Sequence, residues 1–216
     1  MSQIETTSAT KKYRERCEDR VDVFHADQRT VIVVADGAGG TGSGDLAADF
    51  VVREVQSNFT TIHSANEWAD FLRQTDKQIS LGESTAVVVD VRPFGIAGAS
   101  VGDSCAWIIN DGKITDLTAN QIRKPLLGSG MSQPVGFTHT SLAGLLIAAT
   151  DGFFDYAKRD EITRLVGQTE FYEISRKCIE LVQLPSGDMW DDVGIVVGRN
   201  KPRQTTRTKY LSLIHI

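Results

Sequence analysis

Four aspartates in this chain sit where rigid backbone would hold them. Asp36 ends the apolar run Val31 to Ala35, and Asp151 follows Leu142 to Ala149 after a single threonine. Asp191 stands just before Val193 to Gly198, and Asp103 follows Gly95 to Ala99 in Val101-Gly102-Asp103-Ser104. Each apolar run reads as a strand, and strand ends converging on one sheet edge would gather the carboxylates within a few ångströms. Such a cluster repels itself unless cations neutralise it. Oxygen donors select Mg²⁺ or Mn²⁺ over zinc, which prefers histidine or cysteine.

A second chemistry competes at the first aspartate. The segment Gly37-Ala38-Gly39-Gly40-Thr41-Gly42 has the G-x-G-x-x-G spacing of a dinucleotide site. That site needs a second parallel strand about 30 residues on with an acid at its end, and here two helical patterns occupy the interval. Asp36 would also face a pyrophosphate with no compensating charge. A lone Asp-Gly is often only a turn. Asp111-Gly112, inside the hairpin signal Asn110-Asp111-Gly112, is that case.

The elements that must position these residues can be read in order. Val21 and Val23 alternate as a strand. Leu46, Ala47, Phe50, Val51, Val55 and Phe59 recur at helical spacing, and a second helix opens on the capping box Ser64-Ala65-Asn66-Glu67, with Trp68, Leu72, Thr75 and Ile79 on one face. Beyond Gly82 the chain turns to strands: Ser84 to Val91, Gly95 to Val101, and the hairpin Trp107 to Leu117. Their short connections favour antiparallel pairing. Residues 118–140 read as a loop or short flap. Phe171, Ile174, Cys178, Leu181 and Val182 mark a further helix, which Pro185-Ser186-Gly187 ends.

The polar residues 1–12 are expected to be disordered, and 13–199 to form one domain. Residues 200–216 are expected to be a disordered tail, and its ending LSLIHI looks like translated sequencing-adapter read-through. Composition is that of a globular protein, with 41% apolar and 24% charged residues. A formal charge of -5 argues against nucleic acid as a partner. Cys17, Cys105 and Cys178 suggest neither a disulfide framework nor a zinc knuckle, and a reducing cytoplasm fits. The start lacks a signal-peptide pattern, and no apolar run approaches the ~20 residues of a membrane span.

Six short motifs occur in a characteristic order: Asp36-Gly37-Ala38-Gly39-Gly40, Gly82-Glu83-Ser84-Thr85-Ala86, Val101-Gly102-Asp103-Ser104, the run from Asp111-Gly112-Lys113 to Leu117-Thr118, Ala149-Thr150-Asp151-Gly152-Phe153-Phe154-Asp155, and Asp191-Asp192-Val193. In this the chain, from about Arg14 to Arg199, resembles a short bacterial-type member of the metal-dependent type 2C protein serine/threonine phosphatases. The resemblance implies an α+β fold, a four-layer α-β-β-α sandwich of two antiparallel sheets flanked by helices. It implies hydrolysis of phosphoserine and phosphothreonine in proteins by a hydroxide bridging two Mg²⁺ or Mn²⁺ ions, with substrates drawn from the targets of a serine/threonine kinase.

By the same resemblance Asp36 bridges the two ions, Gly37 gives a backbone carbonyl, and Asp151 and Asp191 complete the ligand set. Glu18 holds a metal-bound water, Arg14 binds phosphate, and Asp103 belongs to a third metal. Physically, a water between two divalent cations ionises near neutral pH, and an arginine fork suits phosphoryl oxygens. Some family members carry a histidine where this chain has Ala38. None of His25, His63, His139 or His215 falls on a motif, so no general acid is assigned. Cys105 reads as an inert buried thiol and Trp190 as a core residue. A phosphatase-like regulatory or binding module with weak turnover is the alternative, and a dinucleotide-dependent oxidoreductase the remote one.

Overall fold

A computed structural model describes residues 4–13, 15–38 and 42–201. Among them the chain runs β1 (Ile4–Lys11), β2 (Arg20–Ala26), β3 (Arg29–Ala35), α1 (Gly44–Asn58) and α2 (Ala65–Asp76). Five strands follow: β4 (Ala86–Arg92), β5 (Gly95–Val101), β6 (Cys105–Asn110), β7 (Lys113–Asp116) and β8 (Val135–His139). The last part is β9 (Leu145–Ala149), α3 (Asp151–Phe154), α4 (Arg159–Gln168), α5 (Ile174–Val182) and β10 (Val193–Asn200).

The strands form two five-stranded sheets, ordered β1-β10-β9-β6-β7 and β2-β3-β4-β5-β8. Every neighbouring pair is antiparallel. Period-two alternation in β3 explains the layering. Val31, Val33 and Ala35 face a cluster with Val51, Val55, Trp68 and Leu72 from α1 and α2, whereas Ile32 and Val34 enter the cluster between the sheets. Both faces of this strand are buried, so its sequence is an uninterrupted apolar run. β9 does the same: Ile147 and Ala149 meet Phe153, Ile162, Ile174 and Cys178 of the other three helices, and Leu146 and Ala148 turn inward. The result is the α-β-β-α sandwich that the family resemblance implies.

Local chemistry sets the joints. The Oγ of Ser64 accepts the Glu67 N–H at 3.2 Å while the Glu67 carboxylate accepts the His63 N–H at 2.6 Å, so the capping box starts α2. At the β6–β7 turn Asp111 and Gly112 both adopt positive φ, 49° and 74°, as a two-residue hairpin of this hand requires.

Several expectations are corrected. Residues 4–11, expected to be disordered, form β1, an edge strand paired along β10 from Ile4 with Asn200 to Lys11 with Val193. Its half-exposed threonines carry no apolar alternation, and the partner strand supplies its order. Within the segment expected to be loop, Val135–His139 adds to the sheet edge beside β5. Gly136 is required there, because a Cβ would stand 2.7 Å from the Ala65 carbonyl oxygen at the start of α2. Helix α4 was not anticipated, although Ile162, Leu165 and Val166 have the spacing of one turn's apolar face. Leu46 is half-exposed instead of packing with its helix. No βαβ unit occurs among the described residues, which removes the dinucleotide reading. The tail beyond Lys201 lies outside the described residues. No helix among the described residues is long and apolar enough to cross a membrane.

Candidate metal centre

The ends of β3, β5 and β9 open into one cleft of about 810 Å³. Carboxylate oxygens of Asp36, Asp103 and Asp151, one from each strand end, lie within 4.8 Å of one another. Seven acids, Glu15, Glu18, Asp36, Asp103, Asp151, Asp191 and Asp192, line the cleft against the cations Arg16 and Lys124. Among the described residues neither histidine nor cysteine lines it, so its donors are oxygens, the set that suits Mg²⁺ or Mn²⁺.

Electrostatics favour positive charge in the cleft. Burial, reinforced by the carboxylates of Asp19, Asp151 and Asp191, pushes Asp36 up to about 10. Burial likewise raises Asp19 to about 7, with Asp192 and Asp151 adding to the shift. Asp151 is raised by burial and then by Asp103 and Asp191. Like charges crowded into one buried site disfavour each other's ionised form. Cations bound among them would offset that repulsion.

The supports of these acids explain the motif letters. The Asp36 N–H donates to Thr85 Oγ1 at 3.0 Å, and Ser84 Oγ donates to the Asp36 carbonyl at 3.0 Å. The hydroxyls of Thr85 and Ser104 share a hydrogen bond of 2.7 Å, which ties the Asp103 turn to the Asp36 strand end. Thr150 Oγ1 donates to Asp19 Oδ2 at 2.7 Å and accepts the Gly194 N–H at 3.0 Å, locking Asp19 between β9 and β10. Gly37 crosses Gly44 so closely that a Cβ on either would lie within 2.6 Å of the other's carbonyl carbon.

Gly152 is equally constrained. A Cβ there would stand 1.9 Å from the Asp192 carbonyl oxygen, where Asp151 starts α3 beside the Asp191-Asp192 backbone. Gly152→Ala is therefore expected to destabilise the protein by about 1–3 kcal/mol, measured by denaturant unfolding. Because the clash pushes Asp151 away from Asp191, Mn²⁺ affinity should fall with it.

The positions of the anticipated residues differ. Asp36, Asp103 and Asp151 converge; Asp191 and Glu18 line the same cleft outside that trio; Gly37 lines it beside Asp36. Arg14 lies outside the described residues. Two acids were not assigned from sequence. Asp19 is only 3% exposed and belongs to the carboxylate cluster more intimately than its neighbour Glu18. Asp192 accepts the backbone N–H groups of Tyr13 and Glu18, both at 2.6 Å, so it pins the segment that carries Glu18. Cys105 is partly buried and its thiol is pushed up to about 11 by that burial, consistent with an inert residue. Trp190 is a correction: it is 56% exposed, and Met189 fills the core in its place.

Comparison with known proteins follows the geometry. The family model of protein phosphatase 2C matches residues 9–124, more than half of the chain. A putative protein phosphatase 2C-type protein of Streptococcus pyogenes serotype M6 is 24% identical over 80% of this chain and 86% of its own length. The crystal structure of a bacterial serine phosphatase point mutant superposes with a TM-score of 0.83 at 23% identity, covering 93% of this chain and 100% of that one. The catalytic domain of the serine/threonine protein phosphatase PstP, solved in complex with two manganese ions, gives 0.78 at 18% identity over 92% and 99%. The chain belongs to the protein phosphatase 2C family and is, by that membership, a protein serine/threonine phosphatase.

Proposed function

We propose that the cleft hydrolyses phosphoserine and phosphothreonine in proteins with two divalent cations, Mg²⁺ or Mn²⁺. The observation that carries this reading is the convergence of Asp36, Asp103 and Asp151 at 4.8 Å or less in a cleft whose donors are oxygens. Asp36, Asp151, Asp191 and the Gly37 carbonyl would hold the pair, Glu18 would act through a water, and Asp103 would serve a third ion. Divalent cations bound there supply a water of lowered pKa and positive charge against the phosphoryl oxygens.

The protein's own groups do the rest. Rigid strand ends and the Ser84, Thr85 and Ser104 hydroxyls hold the acids in place, so little reorganisation is needed when cations bind. Asp19, fixed by Thr150, adds a buried carboxylate beside Asp36. Lys124 and Arg16 bring positive charge to the cleft wall, and Arg14 is assigned to the phosphate through its motif match alone. The cleft, about 810 Å³ in volume, has room for a phosphorylated side chain. A cytoplasmic role opposing a serine/threonine kinase completes the proposal.

The test is phosphate release from matched phosphoserine, phosphothreonine and phosphotyrosine peptides, with and without Mn²⁺. Release from the first two, dependent on metal, is expected. Equal rates with and without metal, or release confined to phosphotyrosine, would sink the reading.

A further inference from the structure

At the rim of the cleft the chain exposes aromatic rings that no catalytic role requires. Trp190, Tyr156 and Tyr13 are 56%, 45% and 48% exposed. Single exposed apolar residues are ordinary, but these gather around one opening. Tyr13 lines the cleft, Trp190 immediately precedes the cleft residue Asp191, and Tyr156 follows the short helix that Asp151 starts. Trp190 and Tyr156 come from separate segments yet stack with their planes 7° apart and centroids at 5.9 Å. The two rings thus face one way together while Trp190 stays 56% exposed.

Charge around the pair narrows what could lie on it. Asp155 and Asp191 flank Tyr156 and Trp190 in sequence, and the Tyr156 phenol is raised by partial desolvation and then by the carboxylates of Asp191, Asp155 and Asp151. Two cationic residues, Lys158 and Arg159, open α4 nearby, but the Arg159 guanidinium lies 4.9 Å over the Trp107 ring and is engaged there. Cations in the metal centre would offset Asp151 and Asp191, and Asp155 stays exposed beside Tyr156. A flat, weakly hydrated cation is what a fixed ring face beside carboxylates favours.

We propose that Trp190 and Tyr156 form a docking platform for an arginine side chain of the substrate, so that the enzyme favours phosphosites with an arginine close to the phosphorylated residue. The inference rests on the phosphatase reading of the cleft. Lysine, a compact and strongly hydrated charge, fits the platform less well than arginine. Leucine would gain from the ring face alone and lose the carboxylates.

The experiment measures kcat/KM with Mn²⁺ for otherwise neutral phosphothreonine peptides carrying arginine, lysine, leucine or alanine at successive positions on either side. At one position arginine should exceed alanine by roughly two- to fivefold, through KM, as an exposed cation–π contact provides. That ratio should shrink in high salt. Trp190→Ala and Tyr156→Ala should each bring it close to one, and Trp190→Phe should keep most of it. Ratios of one at every position, leucine equalling arginine, or a ratio that survives both alanine variants would overturn the platform. Turnover of the alanine peptide separates the two levels: if it occurs without arginine preference, only the platform fails. If that parent peptide is not hydrolysed at all, the phosphatase reading fails and takes the platform with it.

Discussion

Asp36→Asn is expected to lower metal-dependent phosphatase activity roughly a thousandfold, because it removes the carboxylate at the centre of the cluster, and cation catalysis contributes several kcal/mol. The same substitution should stabilise the metal-free protein. Asp36 is raised in the folded state to about 10 from an ordinary 3.8, so the folded protein holds a proton that the unfolded chain releases. Stability then falls as pH rises between those two values, the reverse of a salt-bridged aspartate. Asparagine carries no such penalty. Metal-free Asp36→Asn should melt higher than metal-free wild type at about pH 8, with the gap closing towards about pH 4. Mn²⁺ should raise the wild-type melting temperature more at the higher pH, where fewer protons compete, and should do little for the variant. Thermal melts with and without Mn²⁺ at several pH values check each part.

The second large effect is expected at Asp192, which stands outside the converging trio of strand-end carboxylates. Its two oxygens accept the Tyr13 and Glu18 N–H groups at 2.6 Å each, bridging 179 and 174 residues of sequence. Bonds to an ionised acceptor are worth about 1.5–3 kcal/mol apiece. Asp192 also repels Asp19, so removing it relieves part of that loss. Asp192→Ala is expected to cost about 1–3 kcal/mol net. The functional loss should be larger in proportion, about 10- to 100-fold in activity or metal affinity, the range seen when a supporting partner of a metal site is removed. Asp192→Asn keeps one acceptor oxygen and should lose less on both counts. A fall in stability with Mn²⁺ affinity and turnover unchanged would show that Asp192 serves the fold alone.

Much of the sandwich was legible because its strands are buried on both faces. β3 and β9 are continuous apolar runs, and their ends point to Asp36 and Asp151 without reference to any partner. β1 was not legible. Its residues are polar and half-exposed, and what orders them is the edge of β10, nearly the whole chain away. Paired residues outside regular structure hid the rest of the site. In Glu18-Asp19 and Asp191-Asp192 one side chain must turn inward and the other outward, and composition does not say which. The Asp192 partners are backbone N–H groups, which every residue but proline carries, so no side-chain pattern announces them. Trp190 failed as a core residue for a similar reason: Met189 took the inward direction, leaving the larger ring to stack on Tyr156.

The most direct test of the two-cation account is a calorimetric titration of Mn²⁺ into metal-free protein, with phosphothreonine-peptide turnover measured at each step. The account predicts that at least two Mn²⁺ ions bind per chain, that turnover rises with their occupancy, and that Asp36→Asn loses both. Undiminished turnover in excess EDTA, or turnover that survives Asp36→Asn and Asp151→Asn together, would contradict it.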